Sequence, residues 1–293
     1  MNKKVFVLLF LGMIVFLSAQ NQRFMYEYKF VSDSTNRDDV KTELMNLDTT
    51  PKGSKFYSYT SYKSDSLMRV DLEKQLKANG SINIKTDQRK GVIRYAIAKN
   101  YTNGNIDFRT RIGMDAFRVA EERKMTWKIL PDKQKIGNWE TQKATTEYGG
   151  RKWTAWFTEA IPFPDGPYKF SGLPGLIVKI EDADKNYSWV LTANKKLKEF
   201  EEYSYSEKLQ AQFGGKNDIN VISRDKFESS FETYKKDPLA SIRGQIPQDR
   251  MNMKMPGSDK TVGEMLKDQE KMLKDFYSAS DNTIELPQPK NKK

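Results

Sequence analysis

Trp139-Glu140-Thr141-Gln142-Lys143-Ala144-Thr145-Thr146-Glu147-Tyr148, then Gly149-Gly150, then Arg151-Lys152-Trp153-Thr154-Ala155-Trp156-Phe157-Thr158 is the stretch on which the fold turns. In its second half Trp153, Ala155 and Phe157 alternate with Thr154, Trp156 and Thr158. A period of two sends successive side chains to opposite faces of a strand. The glycine pair between the halves tolerates the positive φ that a two-residue hairpin turn requires. The stretch predicts a hairpin, and aromatics on both faces predict cover on both.

The same signals recur in both directions. Upstream, Phe24, Tyr26, Tyr28 and Phe30 alternate along a strand with one buried side, and residues 42–47 and 54–62 read as further strands around Pro51-Lys52-Gly53. Strand patterns return at 92–98 and 107–119, turning at Asn103-Gly104, and at 126–130, closed by Pro131-Asp132. Downstream, 176–180 and 187–193 form another hairpin around residues 182–186. Three segments change period. Residues 64–80 place Leu67, Val70, Leu72 and Leu76 imperfectly on one helix side; Ser223 caps a helix carrying Phe227, Phe231 and Tyr234; residues 259–278 repeat Val262, Met265, Leu266, Met272, Leu273 and Phe276. The expected fold is α+β, mainly β: an extended curved antiparallel sheet, open or half-barrel, with helices packed against it.

Between the two hairpins lies a loop dense in Gly and Pro: Gly166-Pro167-Tyr168-Lys169-Phe170-Ser171-Gly172-Leu173-Pro174-Gly175-Leu176-Ile177. Pro162, Pro164, Pro167 and Pro174 fix φ, while Gly166, Gly172 and Gly175 allow positive φ, so the connection is irregular but rigid. Its apolar members Phe163, Tyr168, Phe170, Leu173 and Leu176 need cover. One reading is a packed corner, the other a loop that a ligand or partner backbone approaches closely. A phosphate cradle is disfavoured, because no P-loop Lys-Ser/Thr and no following helix are present.

This loop resembles the signature of the bacterial GLPGLI family. The resemblance extends over Gly137-Asn138-Trp139, Gln142-Lys143-Ala144, Arg151 to Thr158 and Ile161-Pro162, and also covers Glu27 to Phe30, Gly53 to Ser58 and Asn282 to Leu286. It implies an exported protein of a family without assigned activity. Many members carry a Cys before the Gln-Lys-Ala triplet, where Thr141 stands here. At the level of architecture alone, the expected cupped sheet is similar to the outer-membrane lipoprotein carriers, which hold acyl chains in the cup, and that analogy does not establish function.

Residues 1–19 read as a signal peptide: Lys3-Lys4, the apolar run Val5 to Leu17, then Ser18-Ala19. The run is shorter than the roughly 20 residues a membrane-crossing helix needs. With no cysteine anywhere, a lipoprotein anchor is excluded, and the expected product is soluble and periplasmic or secreted. Cleavage lowers the formal net charge from +11 to +9. Those charges are scattered, which favours a solvated surface over nucleic-acid binding. Residues 20–286 are expected to form one domain, and 287–293 a disordered basic tail.

The chain has no His and no Cys, which removes thiolate nucleophiles, disulfides, Ser-His-Asp triads, an imidazole base and ordinary zinc sites. No cofactor is implied. The remaining constellations each have a bland alternative. Met251, Met253 and Met255 are soft ligands suited to Cu(I), or adaptable apolar filler. Glu181-Asp182-Ala183-Asp184 offers oxygens to a cation but lacks the Gly and distal Glu of a calcium loop, and reads as a hairpin turn. Glu121, Glu122, Glu140 and Glu147 offer carboxylates for acid–base hydrolysis, or are ordinary surface residues. Trp127, Trp139, Trp153, Trp156 and Trp189 line a sugar or lipid site, or pack the sheet. The first functional expectation is a non-enzymatic binding or accessory protein holding an apolar small molecule or a cell-envelope protein. The alternatives are a carboxylate hydrolase and copper capture.

Overall fold

The computed structural model describes residues 21–79, 91–113, 115–200, 219–254 and 259–287. The signal segment 1–19, Met255, the expected helix stop Gly80 and tail residues 288–293 lie outside these residues. Twelve strands form one sheet: β1 (Gln22–Val31), β2 (Val40–Thr50), β3 (Gly53–Ser58), β4 (Ala96–Asn100), β5 (Ile106–Ile112), β6 (Asp115–Ala120), β7 (Lys128–Ile136), β8 (Trp139–Tyr148), β9 (Arg151–Thr158), β10 (Leu176–Asp182), β11 (Tyr187–Lys196) and β12 (Asn220–Ile222). Their order is β12-β6-β5-β4-β3-β2-β1-β11-β10-β9-β8-β7, an open sheet made of two meanders joined where β11 pairs with β1. Every junction is antiparallel except β12 on β6, which is parallel, so the expected antiparallel sheet is mixed at one edge.

Register explains the core. Phe24, Leu47, Phe56, Ile97, Phe108 and Val119 are successive cross-strand partners, a single apolar row crossing six strands. Tyr28, Trp189, Ile180, Ala155 and Ala144 make the matching row across the other meander. These rows define the inner face. Because side chains alternate, the outer face carries Arg23, Asp48, Lys55, Ala98, Asp107 and Ala120 in their own register.

The central hairpin has the expected bounds at both strands. Elsewhere the chain departs from its local signals. Residues 107–119 are two strands rather than one, because Gly113 at φ 58° turns the chain between β5 and β6. Strand β7 continues through Pro131 to Ile136; it is an edge strand, where proline withholds no necessary ladder donor, and a register shift between Ile129 and Lys133 absorbs the irregularity. Residues 59–62, expected as strand, begin helix α1 (Tyr59–Asn79).

Helix α1 lies against β2 and β3, burying Met68 and Leu72. On the outer face there, Arg23 holds Asp48 in a two-pronged bond (Nε–Oδ1 2.6 Å, Nη2–Oδ2 2.7 Å), with the Tyr62 ring of α1 5.3 Å from the guanidinium. Helix α2 (Arg224–Lys236) starts at the cap Ser223 and sets Phe227 edge-on to Phe108 and Phe117 on the inner face. Short helices α3 (Ala240–Gln245) and α4 (Gln248–Met251) lead to α5 (Val262–Ser278), which opens on a Thr261–Glu264 capping box and rests on α2 through Tyr277.

Candidate functional site

The segment between β9 and β10 folds back under the inner face. Its prolines set the path: Phe163 N–H donates to Ile161 O, Asp165 N–H to Phe163 O and Gly175 N–H to Leu173 O, all at 2.7–2.8 Å. Each is a three-residue turn centred on a proline, at Pro162, Pro164 and Pro174, whose fixed φ suits the inverse γ-turn. Gly175 admits no other residue, since at φ 155° a Cβ would stand 2.1 Å from Thr158 O.

Of the signature residues, Gly166, Pro167, Phe170, Leu173, Gly175, Leu176 and Ile177 are buried, while Gly172 and Pro174 are exposed. Phe170 packs 4.8 Å from Trp153 and 6.0 Å from Trp189, and Tyr168 stacks on Trp189 at 6.2 Å. The loop's own aromatics therefore fill the inner side of the sheet. Trp127 ties its indole N–H to Ser171 O at 2.8 Å. Trp127 and Trp139 are half-buried at the margin of the core, and Trp156 is half-buried on the outer face beneath the Lys143 ammonium.

Two buried polar hubs anchor this loop, and neither stands out in the sequence. The first is Asp165, fully buried, which accepts from Ser54 Oγ and Tyr101 Oη (both 2.5 Å), Lys99 Nζ (2.5 Å) and Gly166 N–H (2.6 Å). Lys99 spends its other two donors on Gly166 O and Phe170 O at 2.8 and 2.9 Å. Burial pushes the Lys99 ammonium below its ordinary value, against the pull of Asp165. All three ammonium protons have acceptors, so the pair is a structural lock.

The second hub gathers five charges from distant segments. Lys169 of the loop reaches Glu121 at 2.8 Å and Glu285 at 2.7 Å; Arg123 reaches the same two carboxylates at 2.5 and 2.6 Å; Arg224, the first residue of α2, pairs with Glu285. Tyr148 donates to Glu121 at 2.6 Å, and Tyr168, at φ 52°, donates to Glu285. Glu285 arrives on a C-terminal strap: Asn282 Nδ2 donates to Val31 O (2.7 Å), Arg151 Nη2 to Asn282 Oδ1 (2.6 Å) and Leu286 N–H to Gly149 O (2.8 Å).

The cations around both carboxylates favour their charged form. For Glu121, burial works against the charge, but the Arg123 hydrogen bond and the Lys169 ammonium outweigh it and hold the group well below the usual carboxylate range. For Glu285 burial is likewise overcome, by Lys169, Arg224 and Arg123, and its pKa falls to about 2. Burial, with these carboxylates, pushes the Tyr148 and Tyr168 hydroxyls up. Of the carboxylates singled out in the sequence, Glu121 converges with Glu285, while Glu122, Glu140 and Glu147 are exposed elsewhere. Asp182 is buried against Arg151 at 3.0 Å and accepts the Tyr187 N–H at 2.7 Å, which makes 181–184 a locked hairpin end. Met251 is half-buried at the end of α4 and Met253 exposed beyond it. Thr141 is buried and donates its hydroxyl to Gln134 O at 2.7 Å, tying edge strand β7 to β8.

A family model described as "Protein of unknown function (Porph_ging)" matches residues 112–179, the stretch from the end of β5 to the middle of β10 that includes the central hairpin and the loop. No curated protein matches the sequence. Among solved structures the chain is similar to PNGF-II in two crystal forms. One has a TM-score of 0.50 at 13% identity, covering 74% of this chain and 34% of that one; the other has 0.47 at 14%, covering 73% and 32%. The chain thus spans about a third of the length of PNGF-II, and at this identity the likeness is one of fold alone.

Proposed function

We propose that this is an exported binding or accessory protein of the GLPGLI type, a single domain over 20–286, in which the inner face and the signature loop are scaffold and binding takes place on outward surfaces. The observation that carries this reading is the state of Glu121 and Glu285. A carboxylate hydrolase needs one protonated acid beside one ionised base. Here both groups share the Lys169 and Arg123 donors, which favour the charged form of each, and are 4% and 7% exposed. The loop aromatics occupy the side on which an apolar ligand was expected. That favours a protein partner over an apolar small molecule. Helix α5 supports this, since it buries no residue and leaves Met265, Met272 and Phe276 exposed.

The test is native mass spectrometry of the mature chain purified from the cell envelope of its own host, followed by denaturing release. A stoichiometric complex or a defined adduct is expected, together with unchanged binding in a folded Glu121→Gln variant. A clean mass of the bare chain, with hydrolytic turnover that Glu121→Gln abolishes, overturns the reading in favour of the hydrolase.

A further inference from the structure

On the outer face, among the described residues, α1 packs against β2 and β3 and stops short of β4 to β6. Two rows cross this region in register: Tyr57, Ala96, Arg109, Arg118, and Lys55, Ala98, Asp107, Ala120. Ala98 makes a low floor under a depression of about 660 Å³ lined by Lys55, Asp107, Arg109 and Arg118 of these rows and by the β2–β3 and β4–β5 turns. Such a volume is in the range of a small organic ligand rather than a lone ion.

The lining is rich in donors. Arg109 and Arg118 are direct cross-strand partners, which sets two guanidinium side chains next to each other in the lining. Among the described lining residues Asp107 is the one acid, and it stands 4.0 Å from Arg118, whose side chain is 42% exposed. Lys52 adds charge from the β2–β3 turn, and Asn100, Asn103 and Asn105 lie beside it on the β4–β5 turn, where Tyr101 N–H donates to Lys52 O at 3.0 Å. The side-chain oxygens of Asn100 and Asn103 accept backbone N–H groups of their own turn, which directs the amide nitrogens toward other acceptors. Phe200 supplies one apolar wall. Arg109 and Lys55 have further contacts within the protein, so Arg118, Lys52 and the asparagines carry the recognition.

We propose that this trough binds an acidic oligosaccharide, with a carboxylate or sulfate seated at Arg118 and the sugar hydroxyls along the asparagine end. Guanidinium groups grip such anions through paired N–H donors, and amides suit hydroxyl oxygens. The proposal rests on the reading above that binding takes place on outward surfaces, and adds to it a polar ligand distinct from the protein partner placed at α5.

The experiment is calorimetric titration of the mature chain with a heparin-derived tetrasaccharide, a neutral tetrasaccharide and inorganic sulfate, at two salt concentrations. The variants are Arg118→Gln with Lys52→Gln, and, as a charge-matched control, Lys133→Gln with Lys135→Gln on edge strand β7 at the far end of the sheet. The sulfated tetrasaccharide is expected to bind, the trough variant to weaken it at least roughly tenfold, about 1.4 kcal/mol, and the control to weaken it less than about twofold. Equal loss in both variants means diffuse attraction to a basic protein and overturns the site. Equal binding of sulfate alone, or of the neutral sugar, overturns the ligand class. If no probe binds while the Arg118→Gln protein still carries its native adduct or partner in mass spectrometry, this site fails and the broader binding reading stands.

Discussion

Replacing Glu285 with Gln keeps the shape of the side chain and removes its charge. The hub then holds Lys169 and Arg123 against Glu121 alone, while Arg224 keeps Glu228 at 2.6 Å. Lys169 is 5% exposed and Glu121 4%, so water cannot make good the loss. Leaving a buried charge short of its partner costs about 3–5 kcal/mol, which is a large share of the roughly 5–15 kcal/mol that holds a domain folded. In a chain of this size about 4 kcal/mol corresponds to a fall in Tm of roughly 8–16 °C. Urea unfolding followed by tryptophan fluorescence is the assay, because Trp153 and Trp189 both pack on Phe170 beside the hub. Adding Lys169→Met to Glu285→Gln removes part of the excess charge, so the double variant should lose less than the sum of the singles. The pH dependence has a definite sign. Glu285 has its pKa depressed to about 2 in the folded chain, against about 4.3 unfolded. Its contribution is therefore complete above about pH 4.3 and is lost as pH falls toward 2. Glu285→Gln should flatten the stability profile in that window. A loss below about 1 kcal/mol with an unaltered acid limb would refute the reasoning, showing the hub to be screened by solvent.

Other substitutions separate close approach from backbone preference. Gly175→Ala drives a methyl into Thr158 O and should prevent stable folding or lower the urea midpoint sharply; Gly172→Ala has open space around it but a φ of 94°, and should cost only about 1–3 kcal/mol. Thr261→Ala removes the side-chain arm of the capping box and leaves the residue 261 N–H on the Glu264 carboxylate, at the start of a helix with no fully buried residue, so about 1 kcal/mol should appear as early melting of α5 by far-ultraviolet circular dichroism, with the sheet transition unmoved.

How far the sequence carries the fold depends on whether the deciding signal is local. The 139–158 hairpin is legible residue by residue because alternation and a glycine pair act within it. The break at Gly113 is obscured, since one glycine between apolar runs resembles an uninterrupted strand. Passage of β7 through Pro131 depends on that strand being at the edge, which is a property of the whole sheet. The parallel attachment of β12 rests on three residues and has no pattern of its own. The hubs are the clearest loss: Glu121, Lys169, Arg224 and Glu285 come from four separate segments, and no spacing rule joins them. One clue was present. Asp165 and Lys169 are charged residues inside a loop whose aromatics must be buried, and a buried charge requires a partner. Searching for partners of those two residues points toward Lys99, Glu121 and Glu285.

The central claim is that residues 159–175 are a fixed part of the core rather than an open binding loop. Native-state amide hydrogen exchange tests it most directly, because Leu176 N–H is bonded to Ile161 O, Ile177 N–H to Asp165 O, Gly172 N–H to Pro164 O and Gly166 N–H to the Asp165 carboxylate. The account predicts that these amides exchange only through global unfolding, with the same opening free energy as the amides of β1 and β9. Exchange of the loop amides at near-unfolded rates while β1 and β9 stay protected would contradict it, and would return the loop to the candidates for a ligand-gated surface.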